Sequence, residues 1–475
     1  MAWFFLSRVA AALIALITLL VLTRLLAPEE FGRYNMIVAS GTICQQLLFS
    51  WIISSITRFH SAEEFGGRVL SVSLGAIFAA VALILPVTIV GYLLIPAPMD
   101  GFFLLSAAFA ISTALHEFVL AALRVEKMGR TFAVATLLRP VLATSLAAGL
   151  VLAGGSYGSA VWANVAGAML AVSFGLPQVL KLASIARPSR SVLKSFFAFG
   201  QPLSFVRSAS MLFAFSTQFI LATLVNFAQV GFFSAALTLS QRSITMLMVT
   251  LGQTTAASIF EALEKEGEVR AADELRRHFE MLLLISAPLT AVMVFANDTV
   301  ASIIFNDTFG PGVAPHLAIL SLAAFVNGVQ ASYLAFSFSM NKETMKQLGL
   351  TVSIAAVHIL VTYFATREYG AIGASWAILG VAILNAAIYT AYGAKMIRAS
   401  QPLEPLLKVA AAIACGLPFL LLADRMNSSL NSLALICAAM VACGIALKML
   451  GYESLDTALY GARKLLSRYS TKLAR

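Results

Sequence analysis

Apolar residues run through this chain in blocks of about twenty, and the polar residues gather in short breaks between the blocks. A helix of that length rises 1.5 Å per residue and crosses the ~30 Å hydrocarbon core of a bilayer. The blocks are continuous rather than alternating, which excludes a membrane β-barrel. Reading from break to break predicts fourteen helices, over residues 4–27, 33–57, 69–95, 101–123, 131–153, 157–180, 201–226, 231–257, 279–304, 313–338, 347–366, 371–395, 404–423 and 431–450. The first block carries Trp3, is too long for a signal-peptide core and lacks a cleavage site, so it is read as a true helix.

Charge gives these helices a direction. Loops after odd-numbered helices hold only Arg33, Arg367 and Arg425, against Glu29, Glu30, Asp100, Asp298, Asp307, Glu368 and Asp424. Loops after even-numbered helices are rich in cations, among them Arg58, Arg68, Arg124, Lys127, Arg130, Arg187, Arg190, Lys194, Arg276 and Lys346. The tail adds Arg463, Lys464, Arg468, Lys472 and Arg475. Positive loops stay inside, so both termini are expected in the cytoplasm, in agreement with an even number of spans.

Composition narrows the class to a polytopic all-α membrane protein: 60% of the 475 residues are hydrophobic and 11% charged, with mean hydropathy +0.89. The net charge of +10 would suggest nucleic acid in a soluble chain. Here it records the sidedness of the loops, and no nucleic-acid partner is expected. Cys44, Cys415, Cys437 and Cys443 sit inside apolar blocks without metal-ligand spacing. The five histidines are scattered, and no Walker A loop, nucleophile elbow or dinucleotide fingerprint occurs. The chain is not expected to be an enzyme, and no cofactor or metal is expected.

An internal repeat organises the blocks. Sliding the chain by 199 residues brings Arg8 onto Arg207, Leu25-Leu26 onto Leu224-Val225, Gly32 onto Gly231 and Tyr34 onto Phe233. "YGSAVWA" (Tyr157–Ala163) resembles "YGAIGASWA" (Tyr369–Ala377) in the same order. Six helices separate the copies, so both halves enter the membrane from one side, as parallel repeats of transporters do. The expected layout is a six-helix lobe over 1–185, a basic cytoplasmic linker over 186–200, and a pseudo-symmetric six-helix lobe over 201–400. Two further helices follow over 401–452, then a basic cytoplasmic tail over 453–475. The polar stretch Glu261–Glu280 reads as a cytoplasmic amphipathic helical connector.

The corner "RLLAPEEFGRY" (Arg24–Tyr34) resembles the hallmark of polysaccharide and O-antigen flippases in the multidrug/oligosaccharidyl-lipid/polysaccharide exporter superfamily. "SITRF" (Ser55–Phe59), "LRP" (Leu138–Pro140) and "YGAIGASWA" are similar to the same family, over helices 1–12. The resemblance implies two six-helix lobes around a cavity lined by helices 1, 2, 7 and 8. It implies flipping of undecaprenyl-pyrophosphate-linked oligosaccharide from the cytoplasmic to the periplasmic leaflet by alternating access. The setting would be the multi-pass proteome of the bacterial inner membrane, with membrane lipids, a polysaccharide polymerase and export machinery as partners. Coupling to protons or sodium is left open.

A pyrophosphate head needs a cationic path, and arginine binds two phosphate oxygens at once. An arginine in mid-membrane costs roughly 2.5–3.5 kcal/mol on insertion scales, so it faces a cavity or a partner. Arg242, about twelve residues into the eighth predicted helix and so ~18 Å along it, is the leading candidate. Arg8 and Arg207 are repeat-related and stand near the cytoplasmic boundary, where snorkelling is the competing role. Arg24 either attracts substrate at the exit or pairs with Glu29 or Glu30, and Arg58 is either topogenic or a cytoplasmic contact. His116, Glu117 and Arg139 are either an interhelical structural pair or an ion-coupling group.

Three competing readings differ in chemistry. A drug exporter of the same superfamily, taking cations, would favour embedded acids, yet Glu117 is outnumbered by arginines. A peptidoglycan-precursor flippase shares fourteen helices and a cationic cavity, but the "RLLAPEEFG" corner favours the polysaccharide branch. A membrane glycosyltransferase or polymerase would need catalytic acids or a long outer loop, which the chain lacks.

Overall fold

Pro28 opens a helix. In the computed structural model α1 (Ala2–Leu25) and α2 (Pro28–Phe59) are separated only by Leu26 and Ala27. Proline suits the first helical position, where its missing N–H is no loss, and Glu29 and Glu30 complement the positive end of the helix dipole. The expected start at residue 33 is therefore corrected: Glu29, Glu30 and Arg33 belong to the first turns of α2. The structure describes residues 2–60, 69–94, 101–182, 190–340, 344–393, 402–426 and 429–452.

The first part continues through α3 (Val69–Leu94), α4 (Phe102–Val125), α5 (Gly129–Leu152), α6 (Tyr157–Leu182) and α7 (Arg190–Leu224). Next, α8 (Phe227–Ser240) and α9 (Met246–Glu266) are joined by a π-helical turn, Gln241–Thr245, into one 40-residue rod. At about 60 Å that rod is twice the hydrocarbon thickness, and its surplus carries the charged end Glu261–Glu266. It meets α10 (Glu268–Phe295) at Gly267, so the expected connector is two helix ends rather than a separate element.

One predicted helix fails on a packing detail. The helix expected over 279–304 stops at Phe295, and α11 (Asn297–Ile304) starts in a new direction after Ala296, whose φ is −126°. Asn297 Nδ2 donates to Ala314 O at 3.1 Å, and Thr299 Oγ1 donates to Ala423 O at 2.9 Å, so polar contacts hold the break. Beyond it come α12 (Gly310–Val329), a second π turn (Gln330–Leu334), α13 (Phe336–Met340) and α14 (Thr344–Tyr392). The last breaks at Gly370, where φ is 64° and ψ −150°, a conformation that only glycine takes without strain. Finally α15 (Leu403–Asp424) and α16 (Ser429–Met449) are the last described helices.

Twelve helices among the described residues are long and apolar enough to cross a membrane. The fourteen expected spans count α1 and the two arms of α14 separately. By its contacts the chain divides into two compact units, Met1–Ser234 and Ala235–Arg475. That division falls later than the 186–200 linker, of which residues 186–189 lie outside the described residues, as does the tail 453–475.

Helix α7 belongs to the first unit because it runs antiparallel along α2. Ser50 and Ser204 hydroxyls meet at 2.7 Å, and Ser55 Oγ donates to Phe196 O at 3.2 Å. Phe49, Ile52, Phe118, Val119, Phe132 and Phe196 form the apolar core beside them. In the second unit a charged cluster ties the last helices to α10. Arg276 reaches Glu280 (3.2 Å) and Glu404 (2.7 Å), Lys408 reaches Glu404 (2.8 Å), and Tyr452 Oη donates to Glu280 O (2.9 Å).

Candidate functional site

The charges of the opening corner are engaged in holding it. Glu29 Oε1 accepts from Arg33 Nη2 at 2.7 Å, and Arg33 lies over the rings of Phe227 (5.4 Å) and Tyr157 (5.7 Å). Glu30 Oε2 accepts from the Tyr157 backbone N–H at 2.6 Å, placing a carboxylate on the exposed donors at the start of α6. Glu30→Ala should therefore lower stability by about 1–2 kcal/mol, within the usual range for losing a helix cap. Thermal melting of the purified protein checks this, and Glu30→Gln, which keeps an acceptor, should cost less.

The repeat reappears here as a reciprocal contact. A Cβ on Gly32 would strike the carbonyl of Phe227, and a Cβ on Gly231 would strike the carbonyl of Pro28. Residues 28 and 227, like 32 and 231, are separated by the repeat offset of 199. The two corners thus touch backbone to backbone, each through its glycine. Sequence comparison showed the match of Gly32 with Gly231 but not that the matched residues face each other.

Arg24 stands apart from this network. Its two expected carboxylate partners are bound elsewhere, and it is exposed, without an ion pair among the described residues. Arg207 is exposed and donates from Nη1 to Ser54 Oγ at 2.8 Å. Arg58 is exposed too and lies over the neighbouring Phe59 ring at 5.9 Å. Arg8 lies on α1, but its side chain is outside the described residues.

Inside the first unit the structure assembles a polar group around Arg139. Its Nη2 donates to Thr113 Oγ1 at 2.9 Å and Asn164 Oδ1 at 3.2 Å, and its guanidinium lies 5.8 Å from the Phe109 ring centre. Asn164 Nδ2 in turn donates to Tyr34 Oη at 3.3 Å, so α2, α4, α5 and α6 share one network. Glu117 makes no direct ion pair with Arg139, whose bonds go to Thr113 and Asn164 instead. His116 is buried and donates from Nε2 to Ala135 O at 3.1 Å, while Nδ1 has no partner among the described residues. Sequence reasoning placed Glu117 beside Arg139 and missed Thr113, whose hydroxyl carries no signal in an apolar block, and Tyr34, which it read only as a repeat match to Phe233.

Arg242 occupies the π turn of the second unit. Asn226 precedes its helix and accepts the Gln229 N–H at 2.9 Å, a side-chain cap that starts α8 four residues before the expected position. Arg242 is therefore the sixteenth residue, ~24 Å along the axis rather than ~18 Å. Its side chain is exposed and touches only Met246 Sδ, at 3.8 Å from Nη1, with no carboxylate beside it among the described residues. The turn itself is braced by Thr245 Oγ1, which donates to Ala324 O at 3.0 Å. Such one-turn π segments often occur at functional positions.

A family model described as "Polysaccharide biosynthesis protein" matches residues 21–314, well over half of the chain. The chain belongs to the polysaccharide biosynthesis protein family. That match takes in Arg24, the corner, the Arg139 network, Arg207 and Arg242. Among solved structures this family member is similar to the lipid II flippase MurJ in an inward closed conformation, with TM-score 0.72 and 13% identity, covering 96% of this chain and 100% of that one. It is also similar to an inward-facing multidrug resistance MATE family transporter of the MOP superfamily, with TM-score 0.62 and 17% identity, covering 83% and 96%. No curated protein sequence matches it. These likenesses show a shared many-helix fold.

Proposed function

We propose that this chain flips undecaprenyl-pyrophosphate-linked oligosaccharide from the cytoplasmic to the periplasmic leaflet by alternating access, for O-antigen or exopolysaccharide synthesis. The observation that carries the reading is Arg242: a guanidinium deep along a membrane helix, exposed, and without an acid to neutralise it among the described residues. An unpaired arginine at such depth requires a polar cavity, and its planar donors suit the oxygens of a pyrophosphate. Arg207, Arg24, Arg58 and Arg8 are further cations for that path, and the lysine- and arginine-rich loops face the cytoplasm. Arg139 is held inside the first unit by neutral acceptors; with Glu117 and His116 it forms an interhelical structural group or an ion-coupling group rather than a substrate contact.

A second reading is favoured by the fit to MurJ over nearly the whole chain: a peptidoglycan-precursor flippase. One experiment separates them. Deletion of the gene followed by extraction of polyprenyl-linked lipids should show an accumulated undecaprenyl-pyrophosphate oligosaccharide that disappears on complementation. Accumulation of the peptidoglycan precursor would select the second reading. No accumulation, with reduced export of cationic dyes, would overturn both in favour of a drug exporter.

A further inference from the structure

The first unit carries a groove on its flank that the transport reading does not use. It encloses about 740 Å³ between α2, α3 and α7. Leu47, Leu48 and Trp51 form one wall, Ala76, Ala80 and Leu83 the other. On α7 one face supplies Leu193, Lys194, Phe197, Gln201 and Phe205. The Trp51 and Phe197 rings meet edge to face at 5.5 Å, closing the base.

Three features specify an occupant. First, the groove is almost wholly apolar, and Leu83, Phe197 and Phe205 are more than half exposed, so a hydrocarbon chain lying there would be bounded by them. Second, Lys194 is exposed at one end, near the start of α7, with no bonding partner among the described residues. This end belongs to the arginine- and lysine-rich side of the chain, where a lipid phosphate would lie. Third, the face from Leu193 to Phe205 rises about 18 Å, close to the ~15 Å depth of a single leaflet. That depth suits an acyl chain confined to one leaflet. The Gln201 amide is the other polar group of the wall, likewise without a described partner, and suits an ester carbonyl. A polyprenyl pyrophosphate has no ester there.

We propose that the groove between α2, α3 and α7 binds an anionic glycerophospholipid of the leaflet at the basic end, its acyl chain along Leu83, Phe197 and Phe205 and its phosphate on Lys194. The lipid fills the seam where α7 leaves the α3 side of α2. The binding is independent of what the chain transports.

Native mass spectrometry of the full chain in detergent tests this with phosphatidylglycerol, phosphatidylcholine of the same acyl composition, and undecaprenyl phosphate. Wild type should retain phosphatidylglycerol over phosphatidylcholine by about fivefold, the preference that one lysine contributes at an anionic surface. Lys194→Glu should abolish the preference with no change in melting temperature, since the side chain is exposed and unpaired. Ala80→Trp should lower retention of both phospholipids by filling the groove; if that variant fails to fold, Lys194→Glu decides alone. Equal retention of the two phospholipids by wild type would overturn the proposal. So would a preference that survives Lys194→Glu, or displacement of phosphatidylglycerol by equimolar undecaprenyl phosphate.

Discussion

Arg242→Ala is expected to cut transport roughly ten- to a hundredfold, the loss that follows from removing a charge-assisted hydrogen bond worth about 1.5–3 kcal/mol. The melting temperature should stay where it is. Arg242 contacts only Met246 Sδ at 3.8 Å and supports no other described side chain, so its removal leaves the packing of the second unit intact. Cells carrying the variant should accumulate lipid-linked oligosaccharide at normal protein levels. Arg242→Lys should recover part of the activity, because an ammonium keeps the charge but cannot bind two oxygens in one plane. Full complementation by Arg242→Ala would remove this residue from the path while leaving the family assignment untouched. A drop in protein level would show instead that the guanidinium has a structural role.

Gly32→Ala and Gly231→Ala should each destabilise the protein by about 3 kcal/mol, at the upper end of the cost of overpacking, because the atoms struck are backbone rather than flexible side chain. The double variant should cost clearly less than the sum. Once the first methyl has pushed the two helix starts apart, the second enters space already opened, and residues that share a contact couple in this way. Thermal melting of the two single variants and the double closes the cycle. Additive losses would mean that the glycines do not share one contact. Gly349→Ala, with open space around the added methyl, serves as the control and should be nearly neutral.

Much of the fold was legible because the bilayer imposes it. Runs of apolar residues, the asymmetry of Lys and Arg, and the offset of 199 needed no tertiary information. What escaped was set by single atoms. Pro28 and Asn226 move helix starts by several residues: Pro28 opens a helix inside a charged break that reads as loop, and Asn226 is a single polar residue in an apolar stretch. The break at Ala296 depends on Asn297 reaching Ala314 and Thr299 reaching Ala423, contacts far apart in sequence. Arg139 was visible as an oddity, but its acceptors Thr113 and Asn164 were selected by the packing of α4, α5 and α6. Glu30 looked like a charge kept out of the membrane and proved to be the cap of a helix 127 residues away.

The π turn at Gln241–Thr245 also sets the phase of everything after it. A π turn holds one residue more than the α-helix that would replace it, and one residue corresponds to about 100° of rotation and 1.5 Å of rise. Deleting a single residue there would let the rod heal into continuous α-helix. Every side chain of α9 would then turn by that angle relative to α8. Thr255, which meets His278 Nδ1 at 2.8 Å, would swing away from it, while the aspect of α8 stayed as it was. The length of this rod is thus not free to drift by one: α9 meets α10 in the right phase only through an inserted residue, and Arg242 sits on the insertion.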